Sequence, residues 1–141
     1  MTPQGMPAEL PRELRRFLRL VEEQRYWESH EVLEGPWRET GSDFYHGLIL
    51  YASAFVHLQR RNAHGLRSQL EKARRKLEPF RPFYLGLDVD RILSHAEQCR
   101  RSLAPDASSA TWQEVQEPWL QADPGRIRGD EPELRGERGG R

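Results

Sequence analysis

The segment YWESHEVLEGPW, residues 26–37, places one histidine and several glutamates among large aromatic side chains. His30 and Glu34 are four residues apart, so on a helix they occupy adjacent turns and could address one cation or one proton. Together with Glu31 they are the candidate catalytic residues, because a carboxylate beside an imidazole suits acid–base chemistry. The pattern completes neither the HExxH zinc motif nor the Glu-x-x-His pairs of di-metal bundles. No cofactor is evident; a divalent metal is possible, but no full ligand motif supports it.

The aromatic neighbours of His30 favour a second interpretation. On a helical wheel His30 shares a sector of about 60° with three large residues, namely Tyr26, Leu33 and Trp37. Glu34 lies at the edge of that sector, where a buried carboxylate must be protonated, hydrogen-bonded, paired or metal-bound. The sequence therefore predicts a polar His/Glu cluster in a packed helix seam, with a functional pocket as the alternative. The candidate pocket residues are Tyr26, Trp27, His30, Glu31, Glu34, Trp37 and His57.

The other histidines and the single cysteine complete no motif. His46 and His57 return to nearly the same helix face, but about 16 Å separates them, which is too far for one metal ion. We expect both to be solvated, although either could approach the aromatic segment from a neighbouring helix. His64 and His95 are expected at helix surfaces. Cys99 is expected on a helix face with no histidine or second cysteine beside it.

A basic cluster lies between residues 60 and 76, where Glu71 is the only acidic residue. Its arginines include Arg60, Arg61, Arg67, Arg74 and Arg75. Such a cluster could hold a phosphate backbone, but it lacks the interleaved aromatic rings of a stacking platform. Nucleic-acid binding through this helix is therefore the weaker alternative. The acidic stretch at residues 22–39 could instead attract the cluster, within one bundle or between two copies.

Apolar residues recur at three- and four-residue spacing, which predicts an all-α fold: one compact bundle of about five helices over residues 8–103. The expected helices span residues 8–23, 26–37, 44–61, 62–77 and 88–103. The third is apolar around most of its circumference, so we expect other helices to surround it. Gly35 and Pro36 are expected to weaken the end of the second helix. No window alternates convincingly as a strand.

Composition limits the classes of protein that remain. A chain of 141 residues with 36% hydrophobic and 31% charged residues suits one small domain. Its net charge of zero gives no global attraction to nucleic acid or to an anionic surface. The longest apolar run, residues 47–56, is far shorter than the ~20 residues that span a bilayer. One cysteine excludes an internal disulfide, and no apolar leader is visible, so we expect a cytoplasmic protein without membrane contact.

Residues 104–141 have a different character, because prolines and glycines interrupt a polar segment. We expect this segment to be a largely disordered tail. The exception is TWQEVQEPWL, residues 111–120, where Trp112, Val115 and Trp119 fall on one helical face. This short segment could dock on the bundle or on a partner.

The order of these motifs resembles a known family. The aromatic HEVLE helix, the stretch GLILYASAFVHLQRRNAHG and a leucine-spaced basic helix are similar to the small helical bacterial and archaeal proteins of domain of unknown function 309. The resemblance covers roughly residues 10–100 and implies an all-α bundle with no known activity. It also implies that His30, Glu31, Glu34 and the following Trp37 form the family's signature.

Two main hypotheses for the function follow. The first is a small helical binding or assembly module, which associates with itself or with another protein. The second is a small-molecule hydrolase or metal-dependent enzyme that uses His30, Glu31 and Glu34. We favour the first, because no nucleophile with its base, full metal set or Gly-rich phosphate loop can be assembled.

Overall fold

Over residues 12–102, the helical periodicity of the sequence appears in the structure as five α-helices. The computed structural model describes residues 9–103, 112, 114–118 and 120–134. The helices are α1 (Arg12–Glu22), α2 (Tyr26–Thr40), α3 (Asp43–Gln59), α4 (Ala63–Leu77) and α5 (Val89–Ser102). The predicted all-α class is confirmed. None of the described helices is long and apolar enough to cross a membrane.

The central element is α3, as its apolar sequence predicts. Ser42 begins the helix, because its hydroxyl accepts a 3.0 Å hydrogen bond from the Tyr45 amide. Most of the helix is buried, including the rings of Phe44, Tyr51 and Phe55. The helix packs chiefly between α2 and α4, while α1 covers α2 and α5 covers α4. Each helix therefore packs mainly on its neighbours in the sequence.

The second helix is longer than expected. It passes through Pro36 and ends at Thr40, with Gly41 as a left-handed C-cap. Proline removes one backbone donor, but the following turn can still form. The Thr40 hydroxyl also donates to the Pro36 carbonyl at 2.7 Å, and the Gly41 amide donates to the Trp37 carbonyl at 2.8 Å. The first helix is shorter than expected, since Pro11 precedes its first residue.

A small antiparallel hairpin lies between α4 and α5, where the sequence indicates no strand. Strands β1 (Phe83–Tyr84) and β2 (Leu87–Asp88) are joined by Leu85 and Gly86, both with positive φ. Two-residue strands are too short to show a period of two, which explains the missed prediction. A β-carbon on Gly86 would collide with the Asp123 carbonyl oxygen. The hairpin is therefore in close contact with the C-terminal segment at Asp123.

Residues 120–134 belong to the segment expected to be largely disordered, yet the structure describes them as packed on the bundle. Leu120 is buried in the core, and Ala122 forms a β-bridge with Leu87. Two buried glutamates complete the attachment. Glu131 accepts hydrogen bonds from the amides of Leu85, Arg128 and Gly129. The other tail residues expected to be disordered, apart from 112 and 114–118, lie outside the described residues.

The second buried glutamate, Glu133, joins two parts of the bundle. Its carboxylate accepts hydrogen bonds from the Ser42 hydroxyl at 2.6 Å and from the Tyr84 hydroxyl at 2.7 Å. Ser42 is also the N-cap of α3, so the C-terminal segment is bonded directly to the start of the central helix. Composition alone does not reveal such a contact, because the partners are 91 and 49 residues away.

We predict that Glu133→Ala lowers the free energy of unfolding by about 1–3 kcal/mol, because two buried hydroxyl groups lose their acceptor. Glu133→Gln keeps an acceptor oxygen and should lose less. The exposed Glu114 in the same segment provides the control variant Glu114→Ala, which should be nearly neutral. Urea denaturation followed by circular dichroism measures all three. Equal midpoints for Glu133→Ala and the parent would contradict the attachment.

Candidate functional site: the open face of helices α2, α3 and α4

One stripe of α3 is less covered than the rest of the helix. His46, Leu50, Ser53 and His57 follow a 4-3-4 spacing, so they share one side of the helix, and all four are half-buried. The stripe lies between the two flanking helices. His46 stacks on Trp37 of α2, and the His57 ring rests against Gly65 of α4. The neighbouring helices therefore border this stripe without closing over it.

On the α2 side, aromatic and polar residues line the stripe. Trp27 is the only exposed large hydrophobic residue in the described chain, with 54% of its surface accessible. Its ring stacks on His30 at 5.2 Å between centroids, with an interplanar angle of 19°. Trp37 stacks on His46 at 4.2 Å. These contacts hold the rings in defined orientations at the edge of the face.

On the α4 side, the residues are small, amide or basic. Gly65, Gln69, Lys72 and Lys76 recur at 4-3-4 spacing and share the side of α4 that borders the stripe. A β-carbon on Gly65 would collide with the His57 ring, so only glycine permits this approach. Lys76 pairs with Asp43 at 3.2 Å. We call the whole surface the open face; its residues are Trp27, His30, Glu34, Trp37, His46, Leu50, Ser53, His57, Gly65, Gln69, Lys72 and Lys76.

His57 has a fixed orientation on this face. The Asn62 side-chain oxygen accepts from the Gly65 amide at 2.9 Å, so the Asn62 amide nitrogen is the donor toward His57 Nδ1 at 3.2 Å. In the neutral ring, the hydrogen then lies on Nε2. The expectation of a solvated histidine is wrong here, because His57 packs against the start of α4.

His46 is also more enclosed than expected. It is half-buried under Trp37. Burial lowers its pKa, the nearby Lys76 lowers it further, and Asp43 partly opposes the shift. The prediction of a solvated side chain fails because the wheel of α3 does not show how far the Trp37 indole extends from α2. His46 therefore belongs to the packed edge of the open face.

Two buried side-chain atoms in the described residues have no hydrogen-bond partner, His30 Nδ1 and Gln69 Oε1. They lie on opposite sides of the α3 stripe, one on α2 and one on α4. A buried polar group without a partner costs about 1–3 kcal/mol. Such groups are uncommon in native structures and call for a physical explanation. Both residues belong to the open face, but the two atoms themselves are covered by the chain.

The glutamates of the HEVLE segment do not form the expected buried cluster. Glu34 pairs with Arg38 on its own helix at 3.1 Å, at a partly exposed position. Glu31 is exposed. The wheel places Glu34 at the edge of the aromatic sector. From that position its long side chain can turn toward solvent and toward Arg38, four residues later on the same helix. The prediction of a His/Glu pair buried in the seam is therefore wrong for Glu34.

Part of the aromatic sector of α2 is buried, as the wheel predicts. Tyr26 and Leu33 are buried, and Tyr26 packs on Phe55 of α3 at 5.7 Å between ring centroids. Trp37 is half-buried. Among the residues that the structure describes, no three side chains of the His, Cys, Asp or Glu type come together to hold a metal ion. The candidate residues His30, Glu31 and Glu34 thus lie near one another without forming a ligand set.

The basic cluster between residues 60 and 76 does not present one surface. Arg74 and Arg75 both pair with Glu71, and Arg74 also approaches Glu78. Arg67 donates to the Leu103 carbonyl at 3.0 Å. Two further arginines lie at the end of α3: Arg61 is over the Trp112 ring at 5.5 Å, and Arg60 is exposed. Helical geometry separates these side chains, because residues that cluster in sequence point in different directions.

A series of hydrogen bonds that the sequence did not predict lies beneath α5. His95 Nε2 lies 2.9 Å from the Gln116 carbonyl oxygen, and Nδ1 lies 2.6 Å from the Tyr51 hydroxyl. A carbonyl only accepts, so Nε2 is the donor and Nδ1 of the neutral ring accepts from Tyr51. Cys99 Sγ lies 3.5 Å from His95 Nε2, although the sequence indicates an isolated cysteine. The spacing of His95 and Cys99, four residues on one helix, is the signal that could have revealed the pair.

The surroundings of His95 and Cys99 favour the uncharged forms of both side chains. Burial lowers the pKa of His95, the hydrogen bond to Gln116 partly opposes that shift, and Arg91 adds to it. Burial raises the pKa of the Cys99 thiol to about 12. A thiol with a raised pKa is a poor nucleophile at neutral pH. The chain of contacts therefore attaches the C-terminal segment to α5 and α3.

Fold and face together define a class of protein: an all-α domain whose central helix is enclosed except for one stripe bordered by histidines and indoles. The model of the family described as "Domain of unknown function (DUF309)" matches residues 14–69. This match confirms the family resemblance, and its range contains all α2 and α3 residues of the open face. No curated protein and no solved structure matches the chain.

The two tryptophans of α2 should respond differently to truncation. Trp37→Ala should lower the free energy of unfolding by about 2 kcal/mol, less than the ~3–5 kcal/mol of a fully buried ring. Trp27→Ala should change it by less than about 0.5 kcal/mol, because the indole is mainly exposed. Urea titrations of both variants measure the difference. A larger loss for Trp27→Ala would contradict the exposure of that ring.

The His95 contacts predict a pH dependence of stability. Because the folded pKa of His95 lies below the ordinary value of 6.5, the unfolded chain binds the proton more readily, and stability falls as the pH drops below about 6.5. His95→Gln should reduce the slope between about pH 7 and pH 5. His64→Gln, at an exposed position, is the control. Thermal melts across this range measure the slope, and an unchanged slope in His95→Gln would contradict the prediction.

Proposed function

We propose that this protein is a small helical binding or assembly module that docks a protein partner on its open face. The observation that carries the proposal is Trp27, a mainly exposed indole stacked on His30. Indole rings are enriched among the residues that dominate binding energy at protein interfaces. An exposed tryptophan at the edge of a band of half-buried residues is therefore the feature most typical of a docking surface.

The stacking supports the proposal energetically. Binding normally costs about 0.5–1.5 kcal/mol for each flexible side chain that becomes ordered. The Trp27 and Trp37 rings already lie against His30 and His46, so their orientations are restricted before a partner arrives. A large and pre-oriented ring contributes contact area at low entropic cost.

The alternative of a small-molecule hydrolase has less support. A general base needs a carboxylate or imidazole within hydrogen-bond reach of a substrate, with its own position held by a further group. Glu34 is paired with Arg38, and Glu31 is exposed to solvent, so neither carboxylate is held in this way. Nucleic-acid binding through residues 60–76 also has less support, since Glu71 neutralises Arg74 and Arg75.

Site-specific photo-crosslinking in an extract of cells that make the protein tests the docking face. A photoreactive phenylalanine derivative is placed at position 27 in one full-length variant. The control variant carries the same group at position 39, an exposed residue about 120° from Trp27 on the wheel of α2. We expect a discrete protein adduct from position 27 and none from position 39. Equal adducts at both positions, or no adduct at position 27, would overturn the proposal.

A further inference from the structure

We propose that the surface beneath the C-terminal segment is a peptide-binding groove for an extended acidic segment. The chain's own C-terminal segment, described at residues 112, 114–118 and 120–134, is its resident ligand, and a protein partner with a segment of the same chemistry can replace it. The groove lies away from the open face: Tyr51, which meets His95 there, is about 130° from the open-face stripe on the wheel of α3. The proposal therefore does not depend on docking at the open face.

Two contacts of the segment use only its backbone groups. His95 of α5 donates to the Gln116 carbonyl at 2.9 Å, and the Asp123 amide donates to the Gly86 carbonyl at 2.7 Å. The absence of a β-carbon on Gly86 leaves room for the Asp123 carbonyl. An extended chain that adds to the edge of a sheet is a recurrent mode of peptide recognition. These contacts hold the backbone of a ligand and do not select its side chains.

Two carboxylates of the segment show which side chains the groove selects. The hydroxyl groups of Ser42 and Tyr84 donate to Glu133 at 2.6 Å and 2.7 Å. The Leu85 amide donates to Glu131 at 3.2 Å, and two amides of the segment itself complete that contact. An ionised carboxylate only accepts hydrogen bonds, so all three groups of the bundle act as donors. The groove is therefore suited to acidic residues two positions apart.

The Glu131 carboxylate is charged in this buried position. Burial raises its pKa, but the hydrogen bonds from backbone amides lower it by more, so the net shift is below the ordinary value of 4.5. Hydrogen bonds to charged acceptors are stronger than those to neutral ones. A ligand with glutamine in place of the two glutamates should consequently bind less tightly.

The segment has the properties of a part that opens before the rest of the fold. Among its described residues four side chains are buried, and two of these are the carboxylates; the others are Val115 and Leu120. Regions with few buried apolar contacts open locally at a lower free energy than the core. Opening exposes the donors of Ser42, Tyr84 and Leu85, which another acidic segment can then occupy.

Binding of a fluorescent synthetic peptide, residues 112–134, to the intact purified chain tests the proposal by fluorescence anisotropy. In the parent the tethered segment competes at high effective concentration, so the peptide should bind weakly. Glu133→Ala in the chain weakens the tethered segment, and the peptide, which keeps Glu133, should bind on the order of tenfold more tightly. Glu114→Ala changes an exposed residue of the same segment and should bind the peptide as the parent does.

Changes in the peptide and in the groove then test the specificity. A peptide with Glu131→Gln and Glu133→Gln should bind the Glu133→Ala chain on the order of tenfold more weakly than the parent peptide. Tyr84→Phe removes one donor to the carboxylate and keeps the ring. Added to Glu133→Ala in the chain, it should weaken binding of the parent peptide roughly fivefold.

A severed chain provides a second measurement if Glu133→Ala does not fold. A protease recognition sequence inserted between residues 107 and 108 allows the segment to be cut in the folded full-length protein. The fluorescent peptide should then displace the cut segment while the bundle keeps its circular dichroism spectrum. Three results would overturn the proposal: unfolding of the bundle when the cut segment leaves, no binding of the peptide to the severed chain, or equal binding of the parent and Gln-substituted peptides.

Discussion

The structure depends on the burial of α3. This helix is apolar on all sides except one narrow stripe, so a stable fold must cover most of its circumference. Helices α2 and α4 cover its flanks, and α1 and α5 cover those helices in turn. Because each helix packs chiefly on its neighbour in sequence, the bundle wraps around α3 and stops short of closing over residues 46, 50, 53 and 57. These partly uncovered residues of α3 and the side chains that border them form the open face.

The C-terminal segment shows how polar groups can attach a chain that has little apolar surface. Glu131 and Glu133 are buried, yet each carboxylate accepts hydrogen bonds from amides or hydroxyl groups of the bundle. The Ser42 hydroxyl takes part in both contacts: it caps α3 by accepting from the Tyr45 amide, and it donates to Glu133. The start of the central helix and the C-terminal segment are therefore coupled through one side chain. His95 provides a second attachment through the Gln116 carbonyl.

The histidines illustrate how a single residue type is used differently in one small domain. His30 and His46 stack on indoles, His57 is held by Asn62 and Gly65, and His95 bridges Tyr51 to the C-terminal segment. For His57 and His95, contacts from a neighbouring helix or loop fix the role of a ring nitrogen. Three of these rings lie on the open face, where a partner would meet rings that are already oriented. In the part of the chain that the structure describes, these rings join no cluster of three side chains that could hold a metal ion.

The sequence by itself determined the class of fold and the central position of α3, because helical periodicity and the apolar circumference of residues 44–61 are local properties. Its motifs also carried the resemblance to the family whose model matches residues 14–69. It also located the HEVLE segment, where Tyr26 and Leu33 are buried as the wheel predicts. Only the tertiary structure decided which polar groups meet. Glu34 turns to Arg38, His95 meets Tyr51 and Cys99, and Glu133 reaches Ser42 across 91 positions of the sequence. A wheel gives the direction of a side chain from its own helix, whereas its partners depend on how far neighbouring helices and the returning chain approach it.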